Sequence, residues 1–397
     1  MPAQLPYLWQ QPDWPHFTVD AQALAGALAA AHLQQGRLLG LMDAIGLAQA
    51  QSVSQELWVQ ETLATAAIEG EKLDLDAVRS SVGHRLGLAD KPAPDRNVDG
   101  LVLVMQDATD GYQKPLDADR LCRWQSALFP GGTSGLQRIA VGRYRDHADL
   151  VQIVSGRLGR EVVHYTALAS ADVAAEMAQF LAWFEATRPP QAAPALGGLA
   201  RAAVAHLWFE TIHPFEDGNG RLGRAIVDLA LAQDLDAPVR LFGMSRQMLV
   251  SRAGYYDALN LAQRGGLDVT PWVQWFVQAF TAGCVASQAV VRQAVDKAPF
   301  RLRAAGCALN ARQIKVLDRL LEAGSAAAGA GFLGGMTSEK YAKMAAISKV
   351  TASRDLTDLL GHGLLVVLGQ GKATRYAVNV PGWNVDAAGD VLSRLTP

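Results

Sequence analysis

Apolar residues recur at helical spacing over most of this chain. The first stretch, residues 7–18, is rich in aromatic residues, and three prolines within ten residues exclude a helix there. Beyond it, apolar side chains return every three to four positions, which predicts helices over residues 20–42, 58–71 and 97–107. A run with two prolines at residues 91–95 indicates a linker between the last two.

Residues 151–165 carry a strand-like pattern instead. Two runs rich in β-branched residues flank Gly156 and Gly159, which predicts a β-hairpin. Helical spacing then returns and continues through the middle of the chain. The predicted helices cover residues 171–184, 196–212, 221–232, 252–264 and 271–294.

The pattern changes again near residues 296–300. An amphipathic helix over residues 310–321 is followed, after a glycine- and alanine-rich run, by helical segments over residues 337–344 and 348–360. A hairpin over residues 364–378 comes next. This order of elements is typical of a winged helix-turn-helix domain.

These patterns predict a mostly α fold in three parts. Residues 1–90 form an N-terminal helical domain, residues 91–295 form a helical core with a hairpin, and residues 305–382 form the winged-helix domain. The sequence shows no internal repeat.

The composition restricts the class of protein. The 397 residues are 50% hydrophobic and 19% charged, so a sizeable core can form and disorder is excluded as the main state. A net charge of −2 excludes a globally basic surface for nucleic acid, though not a local basic patch. Three widely spaced cysteines, the lack of an 18-residue apolar run and the lack of a secretory signal favour a cytoplasmic protein without a membrane partner.

Residues 213–224 carry a pattern that indicates phosphate chemistry. Pro214 ends the preceding helix, and residues 218–220 make a tight loop that opens the next one. Backbone N–H groups in such a loop, together with the start of the helix, attract anions. Arg221 and Arg224 lie three positions apart on one helix face, where both guanidinium groups can bind phosphate oxygens.

Two further side chains extend this chemistry. Asp217 offers a hard carboxylate beside the phosphates, which suits Mg²⁺. His213 offers an imidazole that can accept a proton from a hydroxyl. The combination favours phosphoryl or nucleotidyl transfer. Two structural alternatives stay open, because Asp-Gly-Asn-Gly is a common turn sequence and a histidine at a helix end can be purely structural.

Residues 213–224 read HPFEDGNGRLGR and match every fixed position of the Fic signature, H-P-F-x-[DE]-G-N-G-R-x-x-R. On this motif the chain resembles the Fic (filamentation induced by cAMP) family of protein adenylyltransferases. The aromatic segment at residues 7–15 is similar to the start of the helical domain that precedes many Fic cores, and a winged helix is a frequent companion. The resemblance implies a Fic-fold core with a β-hairpin flap at about residues 149–166.

The resemblance also implies an activity, the transfer of AMP from ATP to a Ser, Thr or Tyr hydroxyl of a target protein, which can be the enzyme itself. By position, His213 would be the base, Asp217 would hold Mg²⁺ or Mn²⁺, and Arg221 and Arg224 would bind the β- and γ-phosphates. The residues assigned in this way to nucleotide binding are Asp217, Gly218, Asn219, Gly220, Arg221, Leu222, Gly223, Arg224, Tyr255, Tyr256 and Gln263.

A second segment resembles the inhibitory helix of the family, [ST]-x-x-x-E-[GN]. It begins at Thr65, within a helix placed at about residues 57–71, and has Ala66 where the common form has a second hydroxyl residue. The resemblance implies that Glu69 pairs with Arg224 and competes with the γ-phosphate of ATP. The same glutamate could orient a water that removes AMP from targets. A surface glutamate beside a helix-capping glycine is the structural alternative.

The flap that the resemblance implies would hold the target segment by strand addition. Its docking residues would be Val163, His164 and Tyr165. A hairpin that only covers the core is the alternative.

The partner of the winged helix stays open between DNA, another protein and a second copy of the chain. The residues available to DNA would be Lys349, Thr351, Ser353 and Arg354, with Lys372 and Arg375 on the wing. Two other functions compete with AMP transfer from ATP. One is a DNA-binding regulator that uses the core as a nucleotide sensor, and the other is a Fic transferase with a different nucleotide donor.

Overall fold

The computed structural model describes residues 7–88, 95–148, 151–155, 162–189, 196–323 and 335–383. This part of the chain is mostly helical and carries short antiparallel two-stranded sheets, which confirms the predicted fold class. The chain divides into two compact units, Met1–Ala44 with Gln51–Gln288, and Ile45–Ala50 with Ala289–Pro397. Most of the helices predicted for an N-terminal domain therefore share one unit with those of the core.

Helices dominate the chain up to residue 263. They are α1 (Ala21–Ala44), α2 (Leu47–Ile68), α3 (Leu75–Arg85), α4 (Arg96–Asp110), α5 (Ala118–Leu128), α6 (Val173–Ala186), α7 (Gly198–Ile212), α8 (Asn219–Leu235), α9 (Met244–Val250) and α10 (Arg252–Gln263). Two antiparallel hairpins lie between α5 and α6, formed by β1 (Thr133–Ser134) with β2 (Gln137–Arg138), and by β3 (Gln152–Ser155) with β4 (Val162–Thr166).

Helix α7 lies at the centre of the first unit and positions the candidate site. Every residue from Leu199 to Ile212 is buried, as expected for a helix that is apolar on all sides. Helix α8 packs against it, and all of its apolar residues from Leu222 to Leu231 are buried. The loop between these two helices is residues 213–218, so the signature is held at the core of the unit.

Helix α2 differs from its prediction at both ends. It begins at Leu47 rather than near residue 58, because Val53 and Leu57 pack into the core and extend the helix toward its N-terminus. It ends at Ile68, since Gly70 adopts a left-handed conformation with φ of +83°. Glu69 therefore lies in the turn after the helix and not within it.

The sequence pattern does not predict α3, α5, α9 or the β1–β2 hairpin. Two of the missed helices carry a recognisable start, because Asp74 accepts a hydrogen bond from the backbone N–H of Ala77 at 2.8 Å and Asp117 accepts one from Arg120 at 2.7 Å. Helix α5 also buries one face, with Leu121, Trp124 and Leu128 at helical spacing, so its apolar pattern is present in the sequence.

The second unit contains three helices and a hairpin in the predicted order. They are α12 (Ala311–Glu322), α13 (Ser338–Ala345) and α14 (Lys349–Gly361), followed by β5 (Leu365–Leu368) paired with β6 (Arg375–Val378). One apolar cluster joins them, and its members include Phe300, Val316, Leu320, Met336, Tyr341, Leu356, Leu365 and Val378.

The helix predicted over residues 271–294 is longer in the structure and passes through the change of pattern near residues 296–300. Helix α11 (Thr270–Ala305) continues through Pro299, whose ring removes only one backbone donor, and Phe300 beside it is buried in the apolar cluster of the second unit. Packing thus outweighs the local effect of the proline. No helix among the described residues is long and apolar enough to cross a membrane.

Candidate active site

The loop from α7 to α8 lies between two left-handed residues. His213 ends α7 with φ of +52° and donates its backbone N–H to the carbonyl of Phe209 at 2.9 Å. Gly218, with φ of +92°, precedes the first turn of α8. A left-handed conformation strains a residue with a side chain by about 1–3 kcal/mol, so the surroundings of His213 must enforce it.

The imidazole of His213 lies at the edge of the buried core. Its side chain is 16% exposed, and Nδ1 lies 3.7 Å from Oε2 of Glu210 on α7. Burial and the positive charge of Arg145 lower the pKa of His213 to about 4. Burial, with the nearby charge of Glu69, raises the pKa of Glu210 to about 8. The imidazole is therefore neutral at pH 7 and able to accept a proton.

Asn219 holds the loop together. Its Oδ1 accepts the backbone N–H of Phe215 at 3.0 Å, and its Nδ2 donates to the carbonyl of the same residue at 2.8 Å. The ring of Phe215 is fully buried. Both ends of the Asn219 amide are thus used inside the protein, and its role in nucleotide binding stays a prediction.

The first turn of α8 offers backbone donors. Gly220 carries one of the N–H groups that a helix leaves free in its first turn. Leu222 is fully buried and its N–H donates to the carbonyl of Gly218 at 3.0 Å. A Cβ on Gly223 would lie 2.5 Å from Oε1 of Glu210 on α7. Both residues therefore face the core, and their nucleotide contacts stay predictions.

Arg224 pairs with the predicted glutamate. Its Nη2 lies 2.7 Å from Oε1 of Glu69 and donates to the carbonyl of Thr65 at 3.1 Å. Its Nε donates to the hydroxyl of Thr65 at 2.7 Å. The side chain of Arg224 is only 3% exposed. Burial by itself would lower the pKa of Arg224, but the Glu69 carboxylate outweighs it and the pKa is raised. Thr65 in the last turn of α2 and Glu69 directly after the helix thus bind this arginine.

Arg221 has a partner that the sequence analysis missed. Its Nη1 donates to Oε1 of Glu71 at 2.9 Å, while Nη2 lies 3.6 Å from Oδ1 of Asp217. The guanidinium also lies over the ring of Phe129, 4.9 Å from its centroid. Glu69 and Glu71 belong to one acidic turn, residues 69–71, and each binds one arginine of α8. The only sequence signal was a second carboxylate directly after Gly70.

Asp217 lies where a metal could meet bound phosphates. One carboxylate oxygen accepts the backbone N–H of Gly218 at 2.5 Å, and the other accepts the hydroxyl of Ser134 in the β1–β2 hairpin. The side chain is 39% exposed. Among the described residues no group of three or more metal-ligating side chains comes together.

Arg145 is a second residue that the sequence analysis missed. It is 2% exposed, and its guanidinium donates to the carbonyls of His213 and Leu168 at 2.8 and 2.7 Å. The pattern around it is neither helical nor strand-like, so no periodicity drew attention to it.

The three residues predicted near the adenosine are mostly buried. Tyr255 is 2% exposed, and its hydroxyl lies 2.9 Å from Nε2 of His206 on α7. Gln263 is 1% exposed. Tyr256 is partly buried, 5.0 Å from the Tyr255 ring between centroids. Tyr255 and Gln263 thus take part in the packing between helices, and Tyr256 is the more accessible of the three; their contacts with the nucleotide stay predictions.

The predicted flap is present as β3 and β4. Val163 is 37% exposed, and its carbonyl accepts a hydrogen bond from Arg264 at 3.2 Å. Tyr165 is fully buried and donates its hydroxyl to the carbonyl of Thr211 at 2.6 Å, so it anchors the flap to α7 rather than facing a target. The side chain of His164 lies outside the described residues, as do residues 156–161.

The residues proposed for DNA contact lie on α14 and the β5–β6 hairpin. Lys349 donates to Oε1 of Glu339 at 2.6 Å, and Thr351 donates its N–H to the capping hydroxyl of Ser348. Ser353 and Arg354 are exposed. The side chain of Lys372 is outside the described part, and Arg375, partly buried, donates to the carbonyl of Thr374.

Comparison with known proteins identifies two segments of the chain. Residues 115–231 match the Fic/DOC family, and residues 7–88 match a domain of unknown function, DUF4172. A relative named protein adenylyltransferase fic-1, from Caenorhabditis briggsae, is 26% identical over 214 residues, which is 53% of this chain and 37% of the relative. Protein adenylyltransferase Fic of Drosophila ananassae is 26% identical over 225 residues, 56% of this chain and 40% of the relative.

The chain thus spans less than half of the length of these curated relatives. Among solved structures, a Fic family protein from Desulfovibrio desulfuricans G20 is similar over 92% of this chain and 98% of its own, with 21% sequence identity and a TM-score of 0.50. That likeness concerns the fold. The match of residues 115–231 to the Fic/DOC family includes all of α7, most of α8 and the whole signature, and it agrees with the resemblance seen in the sequence.

Proposed function

We propose that this protein is an adenylyltransferase that moves AMP from ATP to a Ser, Thr or Tyr hydroxyl of a target protein. The observation that carries the proposal is the juxtaposition of a neutral, largely buried imidazole at the end of α7 with two buried arginines and the free backbone donors at the start of α8. The names of the relatives support the same class of enzyme.

The proposed reaction is a displacement at the α-phosphorus of ATP. His213 takes the proton from the target hydroxyl, the hydroxyl oxygen bonds to the α-phosphorus, and the bond from that phosphorus to the β-phosphate breaks, which releases pyrophosphate. Arg221 and Arg224, with the N–H groups at the start of α8, hold the phosphates and stabilise the charge that moves to the leaving group. Positioning and charge thus supply most of the rate.

The residues at the loop fit a divalent cation when a nucleotide is bound. Mg²⁺ in proteins commonly uses one or two carboxylates together with substrate phosphates, and Asp217 is a partly exposed hard carboxylate beside the arginines. Asp217 would hold Mg²⁺, or Mn²⁺, with oxygens of ATP. The ion would supply positive charge that neutralises the phosphates.

The arrangement of the acidic turn supports inhibition from within the chain. Glu69 occupies the guanidinium of Arg224 that the γ-phosphate would bind, at a charge-assisted hydrogen-bond distance of 2.7 Å. ATP must therefore displace a carboxylate before its phosphates lie in line with the target hydroxyl. Transfer by the native chain should be slow.

Intact-mass spectrometry of the wild type and Glu69→Gly, each incubated with ATP and Mg²⁺, tests the proposal. We expect an added AMP on the Glu69→Gly protein and little on the wild type. The double variant Glu69→Gly with His213→Ala is the matched control, because it frees Arg224 but lacks the base. A Glu69→Gly protein that binds ATP but carries no adduct would contradict AMP transfer to itself, and a panel of other nucleotides would then identify a different donor.

A further inference from the structure

Arg145 joins three separate segments at the end of α7. Its Nε donates to the carbonyl of His213 at 2.8 Å, and its Nη2 donates to the carbonyls of Leu168 and Ile212 at 2.7 and 3.2 Å. Its Nη1 donates to the hydroxyl of Ser170 at 2.8 Å. One buried guanidinium thus binds two of the carbonyls that the end of a helix leaves without a partner.

The same residue also holds the chain beyond the helix. The backbone N–H of Arg145 donates to the carbonyl of Pro214 at 2.9 Å. Three consecutive carbonyls, those of residues 212–214, are therefore fixed by Arg145. The middle one belongs to His213, whose φ of +52° is a conformation that a residue with a side chain adopts only when its surroundings enforce it.

We propose that Arg145 is a positioning residue for AMP transfer: it enforces the left-handed backbone at His213 and so aims the imidazole at the target hydroxyl. This inference rests on the proposed function. Among the described residues, the acceptors of its side-chain hydrogen bonds belong to residues 168, 170, 212 and 213, and none of them lies on α8. Arg145 therefore acts on the base and leaves nucleotide binding to α8.

Charge adds a second consequence of the same placement. The charged groups that act on the imidazole of His213 are Arg145, Glu69 and Asp217, and the Glu210 carboxyl, whose pKa is raised to about 8, lies 3.7 Å from it. After burial, Arg145 is the largest influence that lowers the pKa of this imidazole. Loss of its charge should raise that pKa, whereas a lysine would keep the charge but lose the planar fork that reaches several carbonyls.

The experiment compares Arg145→Lys and Arg145→Met in the Glu69→Gly protein. Arg201→Met is the matched control. Arg201 is buried, as Arg145 is, but it lies near the other end of α7, where its Nη2 donates to the carbonyl of Phe184 at 2.7 Å. Thermal unfolding, ATP affinity and transfer rate at saturating ATP are measured for each. We expect a loss of turnover of about a hundredfold for both Arg145 variants, the effect of an ångström-scale misplacement, with ATP affinity unchanged.

The titration of the His213 imidazole, followed by NMR and assigned by comparison with His213→Ala, gives a readout independent of activity. Its pKa should rise in Arg145→Met and stay close to its starting value in Arg145→Lys. If Arg145→Met does not fold, the turnover of Arg145→Lys alone tests whether Arg145 positions the imidazole.

Three results would overturn the inference. They are an unchanged turnover in both Arg145 variants, a parallel loss of ATP affinity, and an equal loss of turnover in Arg201→Met. If the Glu69→Gly protein itself transfers no AMP to any substrate, the proposed function fails. The NMR titration then decides separately, since a His213 pKa unmoved in Arg145→Met contradicts the influence of Arg145 on the imidazole.

Discussion

The two ends of the signature loop are held by different kinds of contact. At the α7 end, Arg145 binds the carbonyl of His213, and the amide of Asn219 binds both backbone groups of Phe215. At the α8 end, the arginines are bound by side-chain carboxylates of the acidic turn, residues 69–71. The first end is fixed through buried backbone groups, and the second is occupied by charged groups that another anion can replace.

The backbone contacts at the α7 end form a fixed scaffold, whereas the carboxylate contacts at the α8 end can be exchanged for another anion. An incoming anion would not compete for Arg145, which is already bound to the backbone carbonyl of His213. A polyphosphate is negatively charged, as Glu69 and Glu71 are, and would bind the same guanidinium groups as these two carboxylates. We infer that ATP finds a base already in place and an arginine pair already occupied. Substitutions at the two ends should therefore affect different measurable quantities.

The largest effect should come from removing the base at the fixed end. In a Glu69→Gly background, His213→Ala should lower the rate of AMP transfer by at least about a hundredfold, the lower end of what general base catalysis contributes. ATP affinity, measured by calorimetry, should stay within about twofold, because the arginines of α8 are untouched. Transfer that persists at an undiminished rate would remove His213 from the role of base.

The next effect tests whether the loop is a scaffold. Asn219→Ala leaves the N–H and the carbonyl of Phe215 buried without their partners, so we expect a loss of about 1–3 kcal/mol in the free energy of unfolding. Chemical denaturation measures it. Asn260→Ala, on the partly buried side of α10, is the control and should change stability much less. Equal stability of the two variants would show that the loop does not depend on Asn219.

The smallest effect should come from the second carboxylate of the acidic turn. Glu71 is 44% exposed, and ion pairs at such positions contribute roughly 0.2–1 kcal/mol, so Glu71→Gln should raise ATP affinity by no more than about fivefold. Glu56→Gln on α2 removes an equally exposed charge, 42%, away from the arginines. The comparison is sharpened if Glu71→Gln strengthens binding and Glu56→Gln does not. A matching response of both variants would mean that only the net charge matters.

Local sequence was sufficient to predict the helical fold and the composition of the loop. The signature residues are contiguous, so His213, Asp217, Arg221 and Arg224 come together through one turn and the start of one helix. The pairing of Glu69 with Arg224 also agrees with the structure, although it came from the family resemblance and not from spacing.

Contacts between distant segments explain what sequence analysis missed. Arg145 lies 68 positions from the carbonyl of His213, and Glu71 lies 150 positions from Arg221. No periodicity joins residues so far apart. The burial of Tyr255 and Gln263 could not be predicted for a related reason, because the face that a helical residue presents to its neighbours depends on how the helices pack.

Gly220 limits which mutations could relieve the proposed inhibition by Glu69. A Cβ at that position would lie 2.3 Å from Oε1 of Glu69, so a side chain there would push the end of the flexible glutamate away from the helix. The same lack of a side chain lets an incoming phosphate approach the helix start. A mutation at Gly220 that evicts the glutamate would thus also obstruct the nucleotide. Hyperactive descendants of this sequence should therefore carry their changes in the segment from Thr65 to Glu71 and keep the glycine.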